Sequence, residues 1–465
     1  MDNNQVKIVN TDNAGEHGEN RCPKCGASDV TYNTKKGKLI CNYCYTEFET
    51  VQADGFEKDV KNLTGETRGS GTKDIDQNAS DIITLKCGGC GAEVVINTQE
   101  ATNARCHWCR SILSINSQID NGAIPDVVLP FGLSKQDAQT KIKKFVDDRQ
   151  FFANPTFKKE FTINNIMGVY FPYLLVDANA HARFRGQGEH QVRSYTVEHG
   201  DKKETVYDAD LYDIQREFDI AIDDLTIESN SDRLNKNSSD RTNNVINAVM
   251  PFDTENCVQY QANYLAGFSS EKRNINISNI EEKVNAQMKD ITRHSINQKL
   301  SFYDRGIRWD EEMLDIKGKQ WISAYLPVWL YSYQDPGKVL HYVAVNARTG
   351  ETMGSVPLDK KKLLLISLLI EIVCIIVAII GGSSDSSYAK LFYILFAVGF
   401  VFYGWKVSKY RNASARHNYE SETKNEITNL QAGDNLIQHR TELSNSRMSS
   451  ANNQRIEGEK VSIQQ

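Results

Sequence analysis

Cys22-Pro-Lys-Cys25-Gly26 and, fifteen residues on, Cys41-Asn-Tyr-Cys44 decide how this chain is read, because the array returns. Its second copy is Cys87-Gly-Gly-Cys90-Gly91 and, again after fifteen residues, Cys106-His-Trp-Cys109. Eight of the ten cysteines fall in these four Cys-x-x-Cys pairs. Two residues between cysteines let one tight turn offer both sulfurs to a single ion. Zn²⁺ takes four such ligands as a tetrahedron with Zn–S near ~2.3 Å. Gly26 and Gly91 follow the first pair of each array, where positive φ turns an amide toward sulfur. Short strand-like runs at 30–32, 38–40 and 93–96 lie between the pairs. The expectation is two small β zinc ribbons, at 21–50 and 85–114, with one Zn²⁺ each. Cys22, Cys25, Cys41 and Cys44 would hold the first ion, and Cys87, Cys90, Cys106 and Cys109 the second.

Other uses of cysteine fit less well. Disulfides need an oxidising compartment, and the polar 1–20 stretch, expected to be disordered, has no secretory apolar region. Thioredoxin-like chemistry uses one Cys-x-x-Cys beside a βαβ pattern, not four in matched pairs. Iron shares the tetrahedral S₄ preference and stays open as the metal. His107 sits inside the last pair as a rival ligand, but Cys109 fills the regular position. Cys257 and Cys374 have no partner motif and read as small apolar residues. A ribbon of this size cannot bury a stable core alone, so metal supplies its folding free energy. A closed Cys₄ set leaves no open position for catalysis.

Charge argues against a chain-wide nucleic-acid binder. Lys plus Arg number 54 against 60 Asp plus Glu, a net −6, where such proteins show a basic excess. Residues 20–50 carry +2, and four thiolates with Zn²⁺ bring that ribbon to neutral. Residues 86–113 carry +1, which the same sum takes to −1. Residues 51–84 read as a polar linker. Gly65, Gly69, Gly71 and Lys73 miss the spacing of a phosphate loop.

The middle of the chain looks like a diverged duplication. Val128-Leu-Pro-Phe131 matches Val249-Met-Pro-Phe252, and Tyr170-Phe-Pro172 matches Tyr325-Leu-Pro327. Between the landmarks lies an amphipathic helix in each copy. Ser134 with Asp137 opens the first, which presents Ala138, Ile142, Phe145 and Val146 on one face; Ser278 with Glu281 opens the second. Period-two alternation follows, from Val176 to Phe184 and onward through Ile222. Two α+β units with antiparallel sheet are expected, at 121–225 and 246–358, joined by a polar linker at 226–245. No catalytic or cofactor-binding residue stands out. His181, His190 and His199 recur without a short ligand spacing, and no His-Glu-x-x-His, nucleophile elbow or dinucleotide fingerprint occurs.

Residues 363–380 are apolar except for Glu371 and Ser367, and 391–405 carry no charge. Eighteen residues span ~27 Å as a helix, close to a hydrocarbon core. Apolar surface on every side argues for two transmembrane helices over 363–405 rather than core helices. Lys360, Lys361 and Lys362 precede them, and Lys406, Lys409 and Arg411 follow. Positive flanks stay inside, so both ends face the cytosol. A reducing cytosol also keeps the cysteines as thiolates. Residues 406–465 read as a polar, mobile cytosolic tail.

These motifs resemble the TFIIB-type zinc-ribbon-containing membrane proteins of Gram-positive bacteria. The likeness rests on both cysteine arrays, on Leu129-Pro-Phe131, on Gly168-Val-Tyr-Phe-Pro-Tyr173 and on Tyr342-Val-Ala-Val-Asn-Ala-Arg-Thr-Gly350. The resemblance implies a multi-pass cell-membrane protein, and some of these relatives carry a primosomal-helicase-like label. The chain lacks the phosphate loop a helicase needs. The function expected is a membrane-anchored, non-enzymatic adaptor or assembly factor with a protein partner. The alternative is a nucleic-acid-binding ribbon protein tethered to the membrane.

Overall fold

The computed structural model describes residues 6–11, 22–27, 30–33, 36–50, 53–72, 82–87, 92–97, 105–113, 118–119, 125–199, 202–230, 249–265, 268–334, 340–382, 397–410 and 419–443. Strand β1 (Lys7–Val9) is followed by a three-stranded sheet of β2 (Val30–Asn33), β3 (Lys38–Cys41) and β4 (Glu47–Phe48). A second, fourteen-stranded sheet takes up β1 and all later strands. These begin with β5 (Gly65–Gly69), β6 (Ile82–Lys86), β7 (Glu93–Asn97), β8 (Gln118–Ile119) and β9 (Val127–Val128). Helices α1 (Lys135–Asp147) and α2 (Pro155–Glu160) come next. Then follow β10 (Met167–His199), β11 (Lys202–Glu228), β12 (Val258–Gln259) and β13 (Ser269–Glu271). Helix α3 (Ile277–Gln298) precedes β14 (Gly306–Gln334), β15 (Leu340–Asn346) and β16 (Thr352–Gly354). Helices α4 (Lys360–Gly382), α5 (Val398–Tyr410) and α6 (Tyr419–Glu422) lead to β17 (Lys424–Leu443).

The sheet is organised by four long antiparallel strands in the order β17-β11-β10-β14. β10 has 33 residues, which at ~3.3 Å per residue reaches roughly 100 Å. The period-two pattern shows directly in its burial. Leu174, Val176, Ala178, Ala180, Ala182 and Phe184 form a buried row with Ile214, Phe218, Ile220 and Ile222 of β11. The small alanines leave room for α3, whose Ile280, Val284, Met288 and Ile291 complete that core. Nearer the body, α1, α2 and the first ribbon cover one face, and the second ribbon covers the other.

The two Tyr-x-Pro segments are cross-strand partners. Tyr170 lies opposite Pro327, Phe171 opposite Leu326 and Pro172 opposite Tyr325. Each motif thus meets its own counterpart about a local two-fold at the sheet centre. Proline has no N–H for a ladder. Each proline carbonyl still accepts a bond, from Ser229 N at 3.3 Å for Pro172 and from Ala347 N at 3.1 Å for Pro327. Strands from both halves of the duplication therefore share one sheet.

Several sequence expectations are corrected here. Within the stretch read as a disordered N-terminus, β1 pairs with β5 in parallel. Within the stretch read as a linker, β5 also pairs with β14. Asp126 holds this segment: Oδ1 accepts from Gly71 N at 2.6 Å and from Thr11 Oγ1 at 2.7 Å, and Oδ2 from Ser323 N at 2.8 Å. Such pairing satisfies backbone groups and needs no apolar pattern, so composition hides it. The polar tail contains β17, an exposed strand along β11, for the same reason. Ser134 caps α1, accepting from Asp137 N, but α3 starts earlier than its Ser278 signal, with Asn276 at the N-cap.

Among the described residues one helix, over Lys360–Ile380, is long and apolar enough to cross a membrane. Of the two expected transmembrane helices, one meets that test. The second run is a helix only from Val398 to Tyr410, thirteen residues or ~20 Å, and 391–396 lie outside the described residues. The helices touch closely. Gly399 N donates to Glu371 Oε2 at 2.7 Å, and a Cβ on Gly399 would sit 2.4 Å from the Ser367 carbonyl oxygen. Both helices also return to the body. Lys362 Nζ donates to the Phe151 carbonyl, Phe152 N donates to Tyr410 Oη, and Val356 N donates to the Tyr410 carbonyl.

Gly318 of β14 faces the crossing segment so closely that a Cβ would lie 2.2 Å from the Leu63 carbonyl carbon and 2.5 Å from Thr64 N. Both are backbone atoms and cannot swing away. Gly318→Ala is expected to destabilise by about 1–3 kcal/mol. It should also release the amides of residues 65–69 to hydrogen exchange, read by mass spectrometry, while amides in the β10–β11 pair keep their protection.

Candidate metal centres

Among the described residues three cysteine pairs sit on turns of one design, and the fourth shares its first hydrogen bond. The first cysteine's N–H donates to the carbonyl five residues on: Cys22 to Ala27, Cys41 to Thr46, Cys87 to Ala92 and Cys106 to Ser111, at 2.8–3.0 Å. The residue after the second cysteine returns its N–H to the first cysteine's carbonyl, as Gly26, Tyr45 and Arg110 do. That residue has a left-handed backbone, with φ of 74° at Gly26, 57° at Tyr45 and 63° at Arg110. The first cysteine of every pair is buried.

The first cluster is complete. The sulfurs of Cys22, Cys25, Cys41 and Cys44 all lie within 4.8 Å of one another. Cys22 and Cys44 are 3.4 Å apart, and Cys25 and Cys41 are 3.6 Å apart, so none is disulfide-bonded. A tetrahedron with ~2.3 Å arms has edges of ~3.8 Å, so the set fits a metal of zinc's size. The protonation of the sulfurs is polarised. Hydrogen bonding to the Thr46 side chain and backbone draws the Cys44 thiol down to about 6. At Cys25 the Ala27 N–H pulls downward, but desolvation and the sulfurs of Cys44, Cys41 and Cys22 prevail and push it up to about 12. Four thiolates this close repel one another, and a divalent cation at their centre removes that repulsion.

The second cluster brings together Cys87, Cys106 and Cys109, with Cys87 and Cys109 3.4 Å apart. Cys90 lies outside the described residues. The hydroxyl contacts repeat: Thr46 Oγ1 is 3.2 Å from Cys44 Sγ, and Ser111 Oγ is 3.2 Å from Cys109 Sγ. Both clusters are compatible with metal binding.

His107 turns away from the sulfurs. Its Nδ1 is 3.2 Å from Ser269 Oγ and its Nε2 3.4 Å from Glu271 Oε1, both on β13. Trp108 Nε1 donates to the same Glu271 oxygen at 2.5 Å, and its ring meets Phe171 and Tyr342. Ser332 Oγ donates to the His107 carbonyl at 2.5 Å. Arg110 donates to the Ser332 carbonyl and lies over the Tyr331 ring. The second ribbon is thus seated on the rest of the large sheet by the tip that carries Cys106 and Cys109. No linear motif announces that contact, because its partners come from β10, β13, β14 and β15.

The other histidines do not assemble. His181 is held by Asp219 and Glu217 at 2.9 and 3.0 Å, and His190 Nδ1 faces the Phe302 carbonyl. The side chain of His199 lies outside the described residues. A third group, unmarked in the sequence, is acidic. Carboxylates of Asp177, Asp223 and Asp224 come within 4.8 Å of one another. Burial, then the charge of Asp224, pushes Asp177 well above the usual carboxylate range, and burial raises Asp224.

With this geometry in hand, one relationship emerges. The chain is similar to the uncharacterised protein YdjG of Bacillus subtilis (strain 168). The two are 24 % identical over 342 residues, which is 74 % of this chain and 91 % of that protein. No family model matches the chain, and no solved structure matches it.

Carboxyls raised in the fold hold their protons more tightly there than in the unfolded chain. The stability this gives is complete below pH ~4 and is lost as pH rises through the raised values. Asp224 has φ of 55°, a conformation asparagine tolerates. Asp224→Asn is therefore expected to stabilise the protein by about 1–2 kcal/mol at pH 8 and hardly at all at pH 4. Urea denaturation at the two pH values checks this, and an equal effect at both would refute it.

Proposed function

We propose that this protein is a membrane-anchored, cytosol-facing zinc-ribbon protein of the TFIIB-type membrane group, acting as a non-enzymatic adaptor or assembly factor. One observation carries the reading: both cysteine clusters are fixed to a single β body that runs directly into an apolar helix. The second ribbon is bolted down through Trp108 and Arg110. The first packs Val30 and Leu39 into the body core, with Tyr32 against Tyr264. Such a body offers fixed surfaces close to a membrane.

Each ribbon would hold one Zn²⁺, with Cys90 as the fourth ligand of the second set. Its turn keeps the Cys87-to-Ala92 bond of the other three turns, which supports that placement. Zinc here supplies folding free energy and cross-links the ribbon. A two-span anchor is supported by the return of both helix ends to Phe151 and Phe152. On this reading the body before residue 360 and β17 lie on one side, and the lysine flanks favour the cytosolic side.

Elemental analysis of protein purified under reducing conditions should find two zinc ions per chain. Cys22→Ser and Cys106→Ser should each leave one, whereas zero or one in the parent chain would sink the metal reading. Reporter fusions before residue 360 and after residue 411 should both be cytosolic, and an externally active reporter at either point would refute the two-span anchor. Affinity purification of the full chain from membranes should yield a stoichiometric protein partner. Binding to DNA or RNA that falls steeply between two salt concentrations would favour the tethered nucleic-acid reading instead.

A further inference from the structure

The two ribbons use their metal-bearing tips differently. In the second, the tip residues Trp108 and Arg110 are spent on the β13 carboxylate Glu271, the Ser332 carbonyl and the rings of Phe171, Tyr342 and Tyr331. The aligned positions of the first ribbon are Tyr43 and Tyr45, each 79 % exposed. Among the described residues neither phenol makes a hydrogen bond. Lys24, on the adjoining turn, is exposed and has no ion pair among them. Tyr45 also occupies a left-handed backbone that costs a bulky residue of order 1 kcal/mol. Arg110 bears the same strain, but its contacts within this chain account for an arginine there. Among the described residues nothing accounts for a tyrosine at 45.

We propose that Lys24, Tyr43 and Tyr45 form a docking surface for another protein, which presents a β-strand carrying a carboxylate side chain beside apolar surface. This deepens the adaptor reading and rests on it. The occupant's chemistry comes from the internal precedent. A tip of the same backbone design already docks on such a strand, β13, with Trp108 Nε1 donating to the Glu271 carboxylate. A tyrosine O–H at position 43 supplies the equivalent donor, and aromatic rings supply large contact area at low entropic cost. Charge agrees. With metal bound the first ribbon sums to zero and the second to −1, so the first meets a carboxylate at no greater electrostatic cost. Lys24 adds a cation that the aligned Gly89 of the second ribbon does not.

The test is photo-crosslinking in the cells that make the protein, using the full chain in its membrane. p-Benzoylphenylalanine replaces Tyr43 or Tyr45, with Phe302 and Ile437 as exposed comparison positions. Zinc content of each purified variant reports its fold, and the Tyr45 variant decides if the Tyr43 variant loses metal. Positions 43 and 45 are expected to join one and the same protein, at a strand segment within a few residues of Asp or Glu. Lys24→Glu should cut the yield at least fivefold with two zinc ions retained. Adducts only to nucleic acid, to phospholipid, to a second copy of this chain or to segments without a carboxylate would overturn the proposal. Adducts at 302 or 437 with silence at 43 and 45 would overturn it and leave the adaptor reading standing. Silence at all four positions would count against both.

Discussion

Everything in this molecule hangs on the backbone hydrogen-bond ladder of β10. It pairs with β11 along one edge, with β14 along the other, and with β13 near its start. Unmade bonds along a buried strand are expensive, so the ladder fixes register for its neighbours. β13 in turn pairs with β7, which belongs to the second cysteine array. The position of a cysteine cluster is thereby tied, strand by strand, to the sheet centre where the two Tyr-x-Pro motifs meet.

The ladder also explains which features were legible in the sequence. Where side chains carry the energy, the residues show it. The alternation from Val176 to Phe184, the α1 face of Ala138, Ile142 and Phe145, and the 363–380 run all appear where their patterns place them. The cysteine arrays were legible for a different reason, since ligand geometry restricts spacing. Where backbone bonds carry the energy, the pattern is silent. β17, with residues such as Asn425, Gln431 and Gly433, reads as polar tail yet forms seventeen Cα pairings with β11. β1 and β5 are hidden in the same way, and Asp126, which secures them, is one aspartate among many.

Contacts between distant segments form the third class. Glu271 gives no sign in the sequence that it will be a buried acceptor, and Trp108 gives no sign that it will find it. The Asp177, Asp223 and Asp224 cluster arises from a β-hairpin register combined with a left-handed residue at 224. Neither the register nor the turn conformation is written in residue type. The two ribbons show the same limit from another side: near-identical knuckles meet different fates because only one lies beside β13.

The order of the chain has a consequence for how the molecule is made. β11 ends at Glu228, but its outer neighbour β17 starts only at Lys424, after β12–β16, both apolar-helix segments and α6 have been synthesised. Until then the edge of β11 from Val206 to Asp223 stands open. Open edges of that length invite pairing with other chains. Biogenesis of this protein therefore leaves β11 uncovered until β17 emerges from the ribosome and pairs with it from the far side of the helical segment; the polar β17, paired on one side only among the described residues, is then the edge. A truncation anywhere before residue 424 would leave β11 in place of the polar β17 as that edge.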